Sequence, residues 1–387
     1  MTSFLARVYA FNFFDRFILI FPLYTVMFVD AGLKPVEITV CLTAWSITSF
    51  VLQVPSGVVA DRWSRRQILA WSQLVRGVGF AVWLLYPHFW GFFVGLQLWG
   101  IKSAFTSGTF EALLYDELKA RGEAGGYIRI FGRTRAVQSG GVLLAALGAA
   151  VVARLGYASM LFASVVSVAL AFAAAVSLPP APPAASAREH DYLAHLRLGL
   201  AAAFRERAVL SVLAFSAIVL ALGAALEEFW PIFGAKVGLT RPVIAVFVGA
   251  QNGVELLVSL IAYRLSGLPT RGFYALFALG GLLLATAAGI FTPSAMFLLA
   301  LYSGMMKLVA VVFEGRLQPL ITSDRRATIG SVKSFLAQVG ITVLYMSFGP
   351  VASSTSYRIA FAACGGAGIC IGLAYLTLPR PWRADAR

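Results

Sequence analysis

The sequence predicts an all-α membrane protein whose twelve transmembrane helices form two six-helix halves. Of its 387 residues, 59% are hydrophobic and only 12% are charged, whereas about 25% of the residues of an ordinary soluble domain are charged. The apolar residues occur in repeated runs of roughly 20, the length that an α-helix needs to cross the hydrocarbon core of a bilayer. Because no water-soluble fold can bury this much apolar surface, the lipid bilayer is the predicted surrounding of the chain.

The polar breaks between these apolar runs define the helices in order. In the first half, helices are predicted at 5–29, 36–60, 67–87, 89–116, 132–153 and 157–178. In the second half, they are predicted at 208–232, 242–264, 271–291, 294–318, 328–349 and 357–378. The first run contains Asp15 and Arg16 and has no basic segment before it, so we interpret it as a retained helix and not as a cleaved signal peptide.

A segment that is first rich in proline and alanine and then charged separates the two halves. It spans residues 179–207 and begins with PPAPPA. Such a segment cannot lie in hydrocarbon, so it is predicted to be a cytoplasmic linker. The domains expected on either side are an N-terminal six-helix bundle at 1–178 and a C-terminal six-helix bundle at 208–387, which ends in a short cytoplasmic tail. Two such halves are typical of a parallel repeat about an axis along the membrane normal.

The formal net charge of +14 reflects basic residues that recur on alternate loops. Because they do not gather in one domain or stripe, they do not predict a nucleic-acid-binding surface. Cytoplasmic loops of membrane proteins carry an excess of lysine and arginine, and this asymmetry places both termini in the cytoplasm. The predicted location is therefore the inner (plasma) membrane of a cell, crossed many times.

Cysteine and histidine are too few and too scattered to predict a metal site or catalysis. Cys41, Cys364 and Cys370 form no CxxC pair, and each lies within an apolar run. The three histidines all fall outside the predicted helices. An enzyme acting inside the membrane needs a nucleophile with a base, or a metal cluster, at membrane depth. The sequence thus predicts neither an enzyme nor a bound cofactor.

The loop after the second predicted helix carries the most specific motif of the chain. Residues 57–66 read GVVADRWSRR, which resembles the G-x-x-x-D-R-x-G-R-[KR] signature between the second and third helices of the major facilitator superfamily. Ser64 stands in place of the second glycine of the signature. The resemblance implies the fold of that superfamily and a gating role for the loop, with an ordinary positive-inside loop as the alternative. The gating residues implied are Gly57, Asp61, Arg62, Arg65 and Arg66.

Further stretches in both halves resemble a bacterial drug and metabolite efflux-like branch of the superfamily. They read QVPSG at 53–57, SGTFEALLYD at 107–116 and RATIGS at 326–331. Gln53 stands where the branch usually has a glutamate. The resemblance implies a secondary active transporter of small solutes that works by alternating access, with proton-coupled efflux as the expected mode. Uptake of a sugar or other metabolite is the alternative within transport, and a non-transporting membrane sensor is the alternative outside it. We expect a monomer, because each half supplies its own partner.

Ionisable and amide side chains inside the predicted helices are the candidate cavity residues. Each costs several kcal/mol in hydrocarbon unless it is paired or faces a watery cavity. For Asp15 two interpretations stay open: local neutralisation by Arg16, or a position on the cavity wall. The candidates for solute or proton binding are Asp15, Glu111, Glu227, Gln251, Glu255, Lys307 and Glu314.

The spacing of these residues within their helices constrains their partners. Gln251, Glu255 and Ser259 recur every four residues and form one polar stripe, which favours cavity lining. Lys307 and Glu314 lie two turns apart on one helix, too far for a direct pair. Lys307 is therefore expected to pair with Glu255 or Glu227 from another helix. One of the carboxylates is expected to carry the coupling proton, with a purely structural ion network as the alternative.

Overall fold

A computed structural model describes residues 2–53, 56, 63–179, 207–317 and 326–377 of the chain. Every regular element among these residues is helical. The predicted linker lies outside the described residues except at its two ends, and so do the C-terminal tail beyond residue 377 and the motif residues Gly57, Asp61 and Arg62.

Among the described residues, eight α-helices precede the predicted linker. They are α1 Thr2–Arg16, α2 Tyr24–Asp30, α3 Pro35–Val51, α4 Arg65–Leu85, α5 Phe89–Thr106, α6 Thr109–Ala120, α7 Tyr127–Val152 and α8 Tyr157–Val176. Seven follow it: α9 Arg207–Glu227, α10 Trp230–Lys236, α11 Arg241–Leu265, α12 Thr270–Ile290, α13 Ala295–Leu317, α14 Arg326–Ser354 and α15 Tyr357–Thr377.

Each of the twelve predicted spans contains at least one of these helices, and the prediction of an all-α membrane protein is confirmed. Within the described part of the chain, 10 helical segments are long and apolar enough to cross a membrane, and Pro35–Val51 is a shorter apolar helix. The remaining predicted span contains α5, whose apolar sequence is interrupted by polar residues such as Gln97 and Lys102.

Three predicted helices are broken in the structure. The first divides into α1 and α2, with a short 3-10 turn at Phe21–Leu23 that contains Pro22. The fourth divides at Gly108, whose φ of 75° is left-handed and therefore favours glycine. The seventh divides before α10, where Pro231 occupies the first turn. Proline lacks the N–H that a continuing helix would use, so these breaks have local causes in the sequence.

The chain divides into two compact units. The first unit lies within Met1–Leu33, Cys41–Glu189 and Thr240–Asn252, and the second within Lys34–Val40, His190–Leu239 and Gly253–Arg387. The helices α3 and α11 thus each contribute to both units. The predicted limits of the two bundles, at 178 and 208, lie at the edges of residues outside the description, so this domain assignment stays a prediction.

The core of each unit comes from close helix contacts. In the first unit, α1 packs on α7 and α8, and α4 packs on α5 and α8. In the second unit, α12 packs on α13 and α15, and α9 packs on α13 and α14. The α12–α15 contact is a glycine seam, defined by Gly281, Gly365, Gly368 and Gly372, where the two backbones approach directly. Small residues at such contacts let helices associate in lipid, where apolar burial offers no driving force.

Candidate functional site

A cavity of about 290 Å³ lies within the first unit, and we call it the polar cavity. Its walls come from α1, α4, α5, α6 and α7, and the break between α5 and α6 lies on one wall. Its volume is at the lower end of the range of about 300–1,000 Å³ found for ligand sites. Six charged side chains line it: Asp15, Arg16, Arg76, Lys102, Glu111 and Arg135.

Asp15 is the centre of the charge network in the polar cavity. Its Oδ1 lies 2.7 Å from Nζ of Lys102 and 3.2 Å from Nη2 of Arg76. Gln73 donates a hydrogen bond to the same oxygen at 2.8 Å. Nε of Arg16 lies 3.8 Å from Oδ2, and the Arg16 side chain is half exposed. Asp15 therefore lines the cavity and also contacts Arg16, and its shortest ion pairs are with two cations from other helices.

Arg76 and Gln73 are functional candidates that the sequence interpretation missed. Both are buried in the middle of α4, and the Arg76 side chain is only 3% exposed. Nη1 of Arg76 also donates to the backbone oxygen of Asp15 at 2.9 Å, so the guanidinium contacts both the carboxylate and the backbone of Asp15. An arginine in the middle of an apolar 21-residue helix is itself the signal that would have identified it.

Glu111 also lines the polar cavity and pairs with Arg135 of α7 at 3.2 Å. Nη1 of Arg135 donates to Oε1 of Gln138 at 3.1 Å, and Nε2 of Gln138 donates to Oδ1 of Asn12 at 2.7 Å. This chain of contacts connects α6, α7 and α1. The α7 helix begins five residues earlier than predicted and carries Arg135 on its third turn.

A second charged group, which we call the carboxylate cluster, consists of Glu227, Glu255 and Lys307 in the second unit. Nζ of Lys307 lies 3.6 Å from Oε2 of Glu255. Glu227 lies close enough to Glu255, Glu228 and Lys307 to interact with each of them electrostatically. Two carboxylates beside one ammonium carry an excess negative charge, which one bound proton removes. The carboxylate cluster is thus a place where the fold can hold a proton.

The other two predicted cavity residues are Gln251 and Glu314, neither of which lines the polar cavity. Glu314 pairs with Lys333 of α14. Gln251 is buried and belongs to the first unit, whereas Glu255, one turn further along α11, belongs to the second. The predicted polar stripe on this helix is therefore divided between the two units, although Ser259 still donates to the backbone oxygen of Glu255 at 2.7 Å.

The two described arginines of the loop motif attach the beginning of α4 to its neighbours. Arg65 is buried and pairs with Asp116 of α6. Nη1 of Arg66 donates to the backbone oxygen of Leu178 at 3.4 Å. Ser64, which departs from the motif, caps α4 and forms a capping box with Gln67. A serine is a favourable helix N-cap, which is a local reason for its presence here.

The long apolar helices of the described residues define a multi-pass membrane protein. The sequence matches the Major Facilitator Superfamily over residues 5–323. The chain belongs to this superfamily, and it is accordingly a membrane transporter of small molecules and not an enzyme.

Solved structures with the same fold are transporters of different solutes. The nucleoside transporter NupG is 16% identical, with a TM-score of 0.80 and coverage of 96% of this chain and 98% of that one. The D-xylose-proton symporter is 13% identical, with a TM-score of 0.71 and 97% coverage of both chains. The POT family transporter PepTSo is 12% identical, with a TM-score of 0.73 and 97% coverage of both chains. At these identities the likeness shows the fold alone. No curated protein matches the sequence.

Proposed function

We propose that the protein is a secondary active transporter that exports a small solute in exchange for protons. The observation that carries the proposal is the grouping of Glu227 and Glu255 around Lys307, where one ammonium faces two carboxylates and a bound proton can balance the second. In this proposal the solute binds in the polar cavity of the first unit. The remaining cavity candidates, Gln251 and Glu314, have a structural role in this proposal, each within its own unit.

The charge of the carboxylate cluster explains how a proton favours one state of the transporter. With Glu227 and Glu255 both ionised, Lys307 compensates only one of the two negative charges. One bound proton makes the three groups neutral together. A charged group inside a membrane is costly, so the protonated cluster is the form that tolerates closure of the protein around it, and the unprotonated cluster favours access to water.

Several finer elements of the proposal come from the sequence. The resemblance of residues 53–57 and 107–116 to an efflux-like branch supports export, from a bacterial inner membrane with both termini in the cytoplasm. The loop motif supports a gate at 57–66, and the Arg65–Asp116 pair anchors one side of it. We also propose a monomer with bundles at 1–178 and 208–387. One transporter of the same fold is a D-xylose-proton symporter, so uptake by symport is the competing direction that an experiment must exclude.

A screen in proteoliposomes tests this proposal. The purified protein is reconstituted, a pH gradient is imposed in either direction, and a mixture of bacterial metabolites and amphipathic drugs is added outside. Mass spectrometry then measures which solutes enter, relative to protein-free liposomes. Exchange predicts accumulation when the interior is the more acidic side, whereas symport predicts accumulation when the exterior is more acidic.

The matched control for the screen is a carboxylate outside both sites. Glu255→Gln is expected to abolish gradient-driven accumulation, and Glu123→Gln, at an exposed position between α6 and α7, is expected to leave it unchanged. Accumulation that ignores the gradient, or that survives in Glu255→Gln, would contradict proton coupling at this cluster. Accumulation with an acidic exterior would overturn export in favour of uptake.

A further inference from the structure

We propose that the polar cavity selects organic anions, in which a carboxylate, phosphate or sulfonate group is attached to an apolar or aromatic body. This inference rests on the proposed function and specifies the class of solute. It follows from three features of the cavity: its charge balance, its unsatisfied polar atoms and its aromatic lining.

The cavity contains more positive than negative charge. With the ionisable groups in their usual states at neutral pH, four cations and two carboxylates line it, an excess of two positive charges. The imbalance is greatest around Asp15, whose single carboxylate is shared by the buried side chains of Arg76 and Lys102 and by Arg16. A buried cation without its own counter-ion is costly. An anionic solute supplies that counter-ion, and a cationic solute would increase the excess.

Two of the residues that line the cavity also carry a buried polar atom with no partner among the described residues. Nε of Arg76 finds no hydrogen-bond acceptor among the described residues, although Nη1 and Nη2 together make three hydrogen bonds to Asp15 and Gln73. Oε2 of Glu111 likewise finds no donor there. Buried polar atoms are nearly always satisfied, so such atoms at a cavity mark where a ligand or water completes the site. The pair suits a solute with an anionic acceptor at one end and a hydrogen-bond donor elsewhere.

Aromatic side chains in the lining of the cavity suit the apolar part of such a solute. Trp99, Phe21 and Phe110 line the cavity, and the rings of Trp99 and Phe21 are 6.2 Å apart between centroids. The N-terminus of α6, which no side chain caps, also borders the cavity. The partial positive charge of a helix N-terminus adds to the preference for an anion.

Two matched series of probes test the charge preference with the purified protein in detergent. The aromatic series is indole-3-acetate, indole-3-acetamide and tryptamine, which share one ring system and are negative, neutral and positive. The sugar series is glucose 6-phosphate, glucose and glucosamine. A ligand that binds the folded state raises its melting temperature, so the shift ranks the members of each series. The anionic member is expected to give the largest shift in at least one series.

Three variants assign that preference to the polar cavity. Arg135→Gln removes a half-exposed cavity cation and is expected to weaken binding of the anion roughly three- to tenfold. Glu111→Gln removes the opposing carboxylate and is expected to strengthen it by a similar factor. Arg121→Gln removes a cation that pairs with Glu117 away from the cavity and is expected to change nothing.

A neutral or cationic member that gives the largest shift, or no shift in either series, would overturn the inference. Equal effects of Arg135→Gln and Arg121→Gln would overturn it too. An anionic lipid is an alternative source of the same chemistry. Loss of the melting-temperature shift by the soluble anion in nanodiscs that contain phosphatidylglycerol would show that the lipid occupies the cavity. That result would overturn the soluble-solute form. The proposed function and this inference can be refuted independently. Anion binding without gradient-driven transport would refute proton coupling but would be consistent with anion selectivity. Proton-coupled transport of neutral solutes would refute anion selectivity but would be consistent with the proposed function.

Discussion

Asp15 is the residue on which the charge balance of the polar cavity depends most. It is the shared acceptor for Arg76 and Lys102, whose side chains are 3% and 7% exposed. Removing one partner of a buried ion pair costs about 3–5 kcal/mol, because the other charge stays buried without compensation. Here two cations would be left at once. The interactions of Asp15 are therefore structural as well as functional.

We predict that Asp15→Asn lowers the stability of the protein by about 3–5 kcal/mol, measured by denaturant or thermal unfolding in detergent. The matched control is Asp30→Asn. Asp30 accepts hydrogen bonds from Tyr157 at 2.6 Å and from Arg241 at 2.8 Å, but these side chains are considerably more exposed. Exposed ion pairs contribute about 0–1 kcal/mol, so the control loss should be small. Similar losses in both variants would show that the network around Asp15 is solvated.

The sequence predicts individual candidate residues better than it predicts their partners. It singled out Lys307 and offered Glu255 or Glu227 as its partner, and the structure contains the Lys307–Glu255 pair. It did not find Arg76 as the partner of Asp15. The cost of a charge in a membrane can be judged from one helix at a time. Which faces of different helices meet depends on packing between segments that are far apart in the chain, and one sequence does not specify this.

At the level of elements, helix breaks and glycine contacts determine where the functional groups lie. The break at Gly108 brings the beginning of α6 to the polar cavity, and the break before α10 places Glu227 at the end of α9. The apolar pattern continues through both breaks, so hydropathy alone predicts uninterrupted helices. The signals that identify them are single residues, a glycine with left-handed φ and a proline in a first turn.

The glycine seam between α12 and α15 provides a test at this scale. A Cβ atom on Gly365 would lie 2.5 Å from the backbone nitrogen of Ala285 and 2.8 Å from the oxygen of Gly281. We predict that Gly365→Ala lowers the stability by about 1–3 kcal/mol, because the helices must separate. Its neighbour is the control: a Cβ on Gly366 meets nothing within 4 Å, so Gly366→Ala should be neutral or slightly stabilising. Thermal unfolding of both variants in detergent measures this difference, and equal melting temperatures would refute the close packing of α12 and α15.

At the scale of the whole molecule, the fold class follows from the bilayer. A membrane-spanning backbone must satisfy its polar groups internally, so repeated apolar runs of about 20 residues predict a helical bundle without knowledge of any contact. The loop at 57–66 then predicted the superfamily to which the chain belongs. The division into two compact units was harder to predict from the sequence, because the two ends of α3 and of α11 belong to different units. Hydropathy treats each helix as one object and cannot show this.

We propose that the proton and the solute are bound at different places, the proton at Glu227 and Glu255 in the second unit and the solute in the polar cavity of the first. The most direct test compares two assays of the Glu255→Gln variant in proteoliposomes, with the solute found by the gradient screen. One assay is accumulation driven by a pH gradient. The other is counterflow, the exchange of labelled for unlabelled solute without a gradient.

The account predicts that Glu255→Gln loses gradient-driven accumulation and keeps counterflow near the wild-type rate, because its solute cavity is intact. The Arg135→Gln variant should show the complementary pattern. Its counterflow should be weakened, and its gradient-driven accumulation should fall by the same factor as its counterflow. Loss of both activities in Glu255→Gln, with a melting temperature like that of the wild type, would contradict the separation of the two sites. Retention of both would contradict a role of the carboxylate cluster in coupling.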